Sequence, residues 1–189
     1  MLIMFKKRKQ ERYEQMVRME RLEKNVELAN QRYDKLSDAL KDALKYGHIV
    51  GMEYDENGEQ IFVARIVKMR QITIFISGKK KCSSYPKLYA TLDWLKPSIH
   101  ITDVLCEANE KSGSILMKYL FSLCDEISNI LNKEIVEITG TISSVDHDHF
   151  DRIEHFYQKF GFDVKFNGDG MGGEIKLKRK SQCLDTIAE

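Results

Sequence analysis

The sequence predicts an α+β domain built on a mixed, mostly antiparallel sheet with one parallel pair at its centre, preceded by a long N-terminal coiled-coil helix. Three observations carry that prediction. Residues Lys6 to Tyr46 contain neither Gly nor Pro and are rich in Glu, Lys, Arg, Leu and Met, all strong helix formers. Asn57 and Gly58 then sit between two apolar runs, the strongest short signal for a β-hairpin. Further on, two β-rich runs are separated by one long helical pattern, the signature of a crossover between parallel strands.

The bulk composition sets limits on the rest. The chain has 189 residues, enough for one domain and an appendage, and 42 % of them are hydrophobic, so a core can be buried. The net charge of +1 gives no chain-wide attraction to nucleic acid or membrane. No apolar run approaches the ~18 residues of a membrane span. The apolar stretch Met1 to Phe5 is followed, not preceded, by basic residues, unlike a secretory signal. Cys82, Cys106, Cys124 and Cys183 form no CxxC pair, which fits reduced thiols in a cytoplasmic protein, with Cys106 and Cys124 in apolar runs of the core.

In chain order, residues 1–46 form the N-terminal helix. Met19, Leu22, Val26, Ala29, Tyr33, Leu36, Leu40 and Ala43 recur at alternating steps of three and four, a heptad seam expected to make the protein a homo-oligomer. The alternative is an amphipathic helix folded back on its own domain. The flanking positions Asn25, Asn30, Arg32 and Ser37 leave the stripe narrow but do not choose between parallel and antiparallel partners. Lys6 to Lys9 form a basic run at the helix start, read as a solvated face. Gly47 ends the helix.

Residues 47–180 form the domain. His48 to Tyr54, Gln60 to Lys68 and Gln71 to Ser77 read as an antiparallel meander. Tyr85 to Leu95 fits a helix, with Leu88, Leu92 and Leu95 on one face, and equally a strand, by alternation; helix or irregular cover is the reading adopted. A strand from Ser98 to Cys106, a helix from Gly113 to Leu131 and a strand from Glu134 to Ile142 form the crossover. A helix from Val145 to Phe160 stops at Gly161. Two strands, Asp163 to Phe166 and Glu174 to Lys180, flank a glycine-rich turn, and residues 181–189 are a loose polar tail. The basic clusters at Lys79 to Lys81 and Lys176 to Lys180 suit strand edges that resist aggregation, and without interleaved aromatics they do not point to nucleic acid.

Two places have chemical potential. The loop from Glu107 to Ser112 leads from a strand into a helix, where unpaired N–H groups and the helix dipole favour an anion; Lys111, Ser112 and Ser114 add donors, and Ser112 or Ser114 can simply cap the helix. Asp146, His147, Asp148, His149 and His155 are dense in metal-ligand types. Neighbours at i and i+2 diverge on a helix, however, so no metal site is expected, and Asp148, Arg152 and His155 share a face suited to an ion pair.

Phe156, Tyr157, Gln158, Lys159, Phe160, Gly161 and Phe162 end the last core helix in a phrase that resembles the GNAT superfamily of acyl-CoA-dependent N-acetyltransferases. The order of elements from about Ile99 to Lys178 is similar to that family as well. Its cofactor loop, Gln/Arg-x-x-Gly-x-Gly/Ala, aligns with Ala108 to Gly113: Gly113 keeps the second glycine, Lys111 stands for the first and Ala108 for the leading Arg/Gln, so the loop is degenerate. The resemblance implies transfer of an acetyl group from acetyl-CoA to an amine, which the sequence does not identify. It implies Cys106, Lys111, Ser112, Gly113 and Ser114 as cofactor contacts. Tyr157 is implied as the acid that protonates the leaving thiolate, a phenol of pKa ~10 otherwise at home in a core. Glu107, like Asp103, lies at the end of the central strand and is a candidate base. The alternative from another class is a catalytically inactive GNAT-fold interaction module assembled by its coiled coil.

Overall fold

The computed structural model describes residues 2–78, 86–107, 110–168 and 172–179. Eight strands form one sheet in the order β1-β2-β3-β4-β5-β6-β8-β7, covering β1 (His48–Tyr54), β2 (Gln60–Lys68), β3 (Gln71–Ser77), β4 (Lys87–Asp93), β5 (Ser98–Leu105), β6 (Glu137–Ile142), β7 (Asp163–Phe166) and β8 (Gly173–Lys178). Every neighbouring pair is antiparallel except β5 and β6. The helices are α1 (Leu2–Tyr46), α2 (Ser112–Leu131) and α3 (Phe150–Lys159), the last entered through a 3-10 turn over Ser144–His149. The expected α+β class, with a parallel pair inside a mostly antiparallel sheet and a long N-terminal helix, is what the chain adopts.

Four expectations change. Tyr85 to Leu95 is not helical: Lys87–Asp93 is the strand β4, and Leu88, Ala90 and Leu92 alternate into the core while Leu95 is 88 % exposed. The free ladder groups of β3 and β5 on either side supply hydrogen bonds that a helix would have left unmet. The last core helix begins at Phe150, not Val145, and β6 begins at Glu137, not Glu134. Cys124 is buried as expected, but Cys106 lies beyond the last residue of β5 and is exposed.

The main core occupies one face of the sheet. Ile61, Val63, Ile74, Leu88, Ile99, Ile101 and Ile138 meet Leu116, Leu120, Leu123 and Cys124 of α2, and the aromatic residues of α3 pack at its border. A smaller core on the opposite face joins Ala39 and Ala43 of α1 to Phe62, Ala64 and Phe75. Small residues bring α1 close enough for Ser77 Oγ to donate to the Ala39 carbonyl at 2.8 Å. Gly47 follows the helix because a Cβ there would sit 2.7 Å from the Arg65 carbonyl oxygen. Side chains 12–34 of α1 are exposed throughout, and among the described residues the first contact with the domain is the ion pair of Lys35 with Glu59 at 3.7 Å.

Candidate active site

The centre of the sheet is interrupted by a gap. The parallel register of β5 and β6 runs from Ser98↔Glu137 to Ile101↔Gly140 and stops there, although β5 continues to Leu105 and β6 to Ile142. The cause is visible on the other side of β5. Asp103 pairs with Tyr89 and Ile101 with Ala90, which leaves Thr102 as the extra residue of a bulge. A bulge bends its strand and increases its twist, here at the position where β5 leaves β6. The two strands therefore part beyond Ile101 and Gly140, where their backbone groups do not pair with each other. Gly140 is needed at this point, since a Cβ would lie 2.8 Å from Ile175 Cδ1 and 3.0 Å from the Ile101 carbonyl oxygen.

The first turn of α2 stands at the same end of β5. Lys111 is the N-cap residue and makes no side-chain cap. The first intrahelical bond runs from Ile115 N–H to the Lys111 carbonyl at 3.0 Å, so the N–H groups of Ser112, Gly113 and Ser114 take no partner from the helix. Ser112 is buried and its hydroxyl donates to Glu110 at 3.4 Å; it is a helical residue rather than the cap. Ser114 Oγ accepts a hydrogen bond from Lys159 Nζ at 3.2 Å, which ties α3 to this turn.

Gly113 has a packing role that its motif does not suggest. A Cβ there would lie 2.9 Å from Phe156 Cε2 and 3.1 Å from Cys106 Sγ. The missing side chain is the space in which α3 and the end of β5 pack against α2. The structure thus brings Cys106, Gly113, Ser114, Phe156 and Lys159 together. Tyr157 belongs to the same aromatic group, half-buried, its ring 5.1 Å from that of Phe156 and 5.5 Å from that of the buried Phe162. Lys111 and Glu107 are exposed at the mouth of this turn, and Ala108 lies outside the described residues. The contacts of Phe156 and Lys159 with α2 were hidden in the sequence, because they join residues more than 40 positions apart; both residues nevertheless lie inside the phrase that ends at Phe162.

The site fits a long ligand with an anionic end in some respects and resists it in others. Open strand edges, three helix N–H groups, Ser114, Lys111 and Lys159 suit amides and phosphates. Glu107 and Glu110 at the same turn oppose an anion, and the space on the Cβ side of Gly113 is taken by Phe156 and Cys106. Among the described residues no group of His, Cys, Asp and Glu is arranged to hold a metal ion; Asp148, His149 and His155 are exposed, and the side chains of Asp146 and His147 lie outside the described residues. The basic cluster at Lys79 to Lys81 and the side chains of Lys6 to Lys9 lie outside them too. No helix among the described residues is long and apolar enough to cross a membrane.

No protein-family model matches the chain. It is 29 % identical over 143 residues to a Bacillus subtilis (strain 168) protein described as uncharacterized protein YocC, covering 75 % of this chain and 83 % of that one. Among solved structures it is similar to aminoglycoside 6'-acetyltransferase type Ii, with 14 % identity and a TM-score of 0.40 over 59 % of this chain and 70 % of that one. It is also similar to the aminoglycoside 6'-N-acetyltransferase from Enterococcus faecium, with 11 % identity and a TM-score of 0.37 over 59 % of this chain and 74 % of that one.

Proposed function

We propose that this chain is a GNAT-like acyltransferase that moves an acetyl group from acetyl-CoA to an amine. The observation that supports it best is the parting of β5 and β6 after Ile101 and Gly140, at the end of the sheet where α2 begins. A cleft inside a sheet exposes strand edges on both walls, which suits the amides of a pantetheine arm. Acetyl-CoA supplies the activated acyl group, as a thioester that a neutral amine can attack. The backbone N–H groups of β5 near the Thr102 bulge are the donors for the oxygen that gains charge in that attack. The first-turn N–H groups of α2, with Lys111, Ser114 and Lys159, hold the phosphates. Tyr157 gives its proton to the sulfur as the carbon–sulfur bond breaks, and the proton lost by the amine passes to a carboxylate such as Glu107 or to water.

A second reading has an observation in its favour. Glu107 and Glu110 beside the helix start, with Gly113 filled by Phe156 and Cys106, suit a fold that has kept its build and given up its cofactor. Calorimetric titration of the full chain with acetyl-CoA separates the two. Saturable binding at or below millimolar ligand is expected, and an absence of heat at that concentration sinks the enzyme reading in favour of an interaction module. Tyr157→Phe should retain binding and lose about a hundredfold or more in turnover; unchanged turnover would remove Tyr157 from the chemistry.

A further inference from the structure

The free part of α1 carries an apolar stripe that the sheet does not use. On a helix that turns 100° per residue, Leu36, Ala39 and Ala43, which pack toward the sheet, and the group Met19, Leu22, Val26, Ala29, Tyr33, Leu40 and Leu44 face directions about 90° apart. Met19, Leu22, Val26, Tyr33 and Leu44 are each at least half exposed. A shallow groove runs along one flank of this stripe, between Met19, Leu22 and Val26 on one side and the polar Glu23, Glu27, Asn30, Gln31 and Asp34 on the other. The expected seam from Met19 to Ala43 is therefore split: its end at Leu36 and Ala43 is taken by the chain's own sheet, and the rest is open beside it.

We infer that the stripe is covered by the same stripe of a second copy, in parallel orientation. Asn25, Asn30, Arg32 and Ser37 leave the direction open, but Arg18 and Glu23, on opposite banks, favour a second copy and one direction. One bank carries Arg18, Asn25 and Arg32, the other Glu23, Asn30 and Ser37. In a parallel pair each residue of the first bank meets the residue five positions on in the partner. Arg18 then meets Glu23 of the partner subunit, Asn25 meets Asn30 of the partner subunit, and Arg32 meets Ser37 of the partner subunit. Two-fold symmetry makes each pair twice. In an antiparallel pair centred on the same stripe, like banks face each other. The first bank then offers no acid to Arg18 or Arg32, and the second offers no base to Glu23, so no opposite charges pair. The stripe thus complements itself in one direction only, and because it is turned away from the sheet, pairing leaves the sheet–helix contact in place.

Sedimentation velocity of the full chain at micromolar concentration tests this. A dimer is expected. Leu22→Asp combined with Val26→Asp should give a monomer whose Cys124 stays shielded from a thiol reagent, showing that the domain remains folded. Arg18→Glu should weaken the dimer about tenfold, and adding Glu23→Arg should restore it. A wild-type monomer at a hundredfold higher concentration overturns the proposal and assigns the stripe to a different protein. So does a dimer that survives the double aspartate substitution, or one that Arg18→Glu tightens.

Discussion

Tyr119 shows how one contact couples backbone, packing and charge. Its ring lies on Gly51 of the edge strand β1, just past a bulge at Val50, and a Cβ at residue 51 would fall on the phenol. The hydroxyl donates to Glu53 Oε1 at 3.1 Å, and Lys118 reaches the same oxygen at 2.6 Å. Gly51→Ala should cost about 1–3 kcal/mol by overpacking. Combined with Tyr119→Ala it should cost less than the two substitutions added, a coupling that urea titration of the four proteins measures. Burial, and then the Glu53 carboxylate, push the Tyr119 phenol up to about 12 from 10.0. The unfolded chain loses that proton first, so stability should hold below about pH 10 and fall between pH 10 and 12. Tyr119→Phe should flatten that fall in alkaline melts. Glu53 is shifted the other way, its carboxyl held below the usual range by the Lys118 ammonium, so its contribution is present at neutral pH and is lost on acidification. None of this partnership is visible in the sequence, since Gly51 and Tyr119 lie far apart along the chain.

The elements divide into those that carry their own signal and those that borrow it from neighbours. The hairpin at Asn57 and Gly58 is self-declaring: Gly58 has φ of 74°, and the Asp55 carboxylate accepts the N–H groups of Asn57 and Glu59 at 2.8 Å. β4 is the opposite case. Its leucines satisfy a helical spacing and a strand alternation equally, and only the waiting edges of β3 and β5 choose. The cleft between β5 and β6 also belongs to this scale. Gly140→Ala should place a methyl group against Ile175 and the Ile101 carbonyl at the last parallel pair. The expected cost is about 1–3 kcal/mol in a denaturant melt, with weaker acetyl-CoA binding in the calorimeter if the cleft is where the ligand lies. α3 contributes no fully buried residue, yet Phe156, Phe160 and Tyr157 form the aromatic contacts that lock it to Phe121 and Phe162.

Over the whole molecule, two cores lie on opposite faces of one sheet, the larger beneath α2 and α3 and the smaller beneath the end of α1. Charged cross-links join the layers at the periphery: Arg65 of β2 holds Glu126 of α2, Arg179 holds Asp125, and Lys118 of α2 holds Glu53 of β1. Cys124 reports on the larger core. It is fully buried, and burial raises its thiol to about 12. Its alkylation should therefore need opening of that core, and the labelling rate should rise with urea in parallel with global unfolding, as mass spectrometry of pulse-labelled protein would show. Labelling of Cys124 at the rate of an unfolded peptide in native buffer would contradict that packing.

What the sequence by itself determined is whatever periodicity and turn chemistry encode locally: the long helix without Gly or Pro, the Asn57 and Gly58 hairpin, the strand–helix–strand crossover, and the closing phrase from Phe156 to Phe162. Tertiary structure decided the rest, because those choices are made by groups remote in sequence. It turned an ambiguous leucine pattern into β4. It used Gly113 to admit Phe156 and Cys106. It divided the apolar positions of α1 between its own sheet and solvent, and it opened a cleft where the Thr102 bulge carries β5 away from β6.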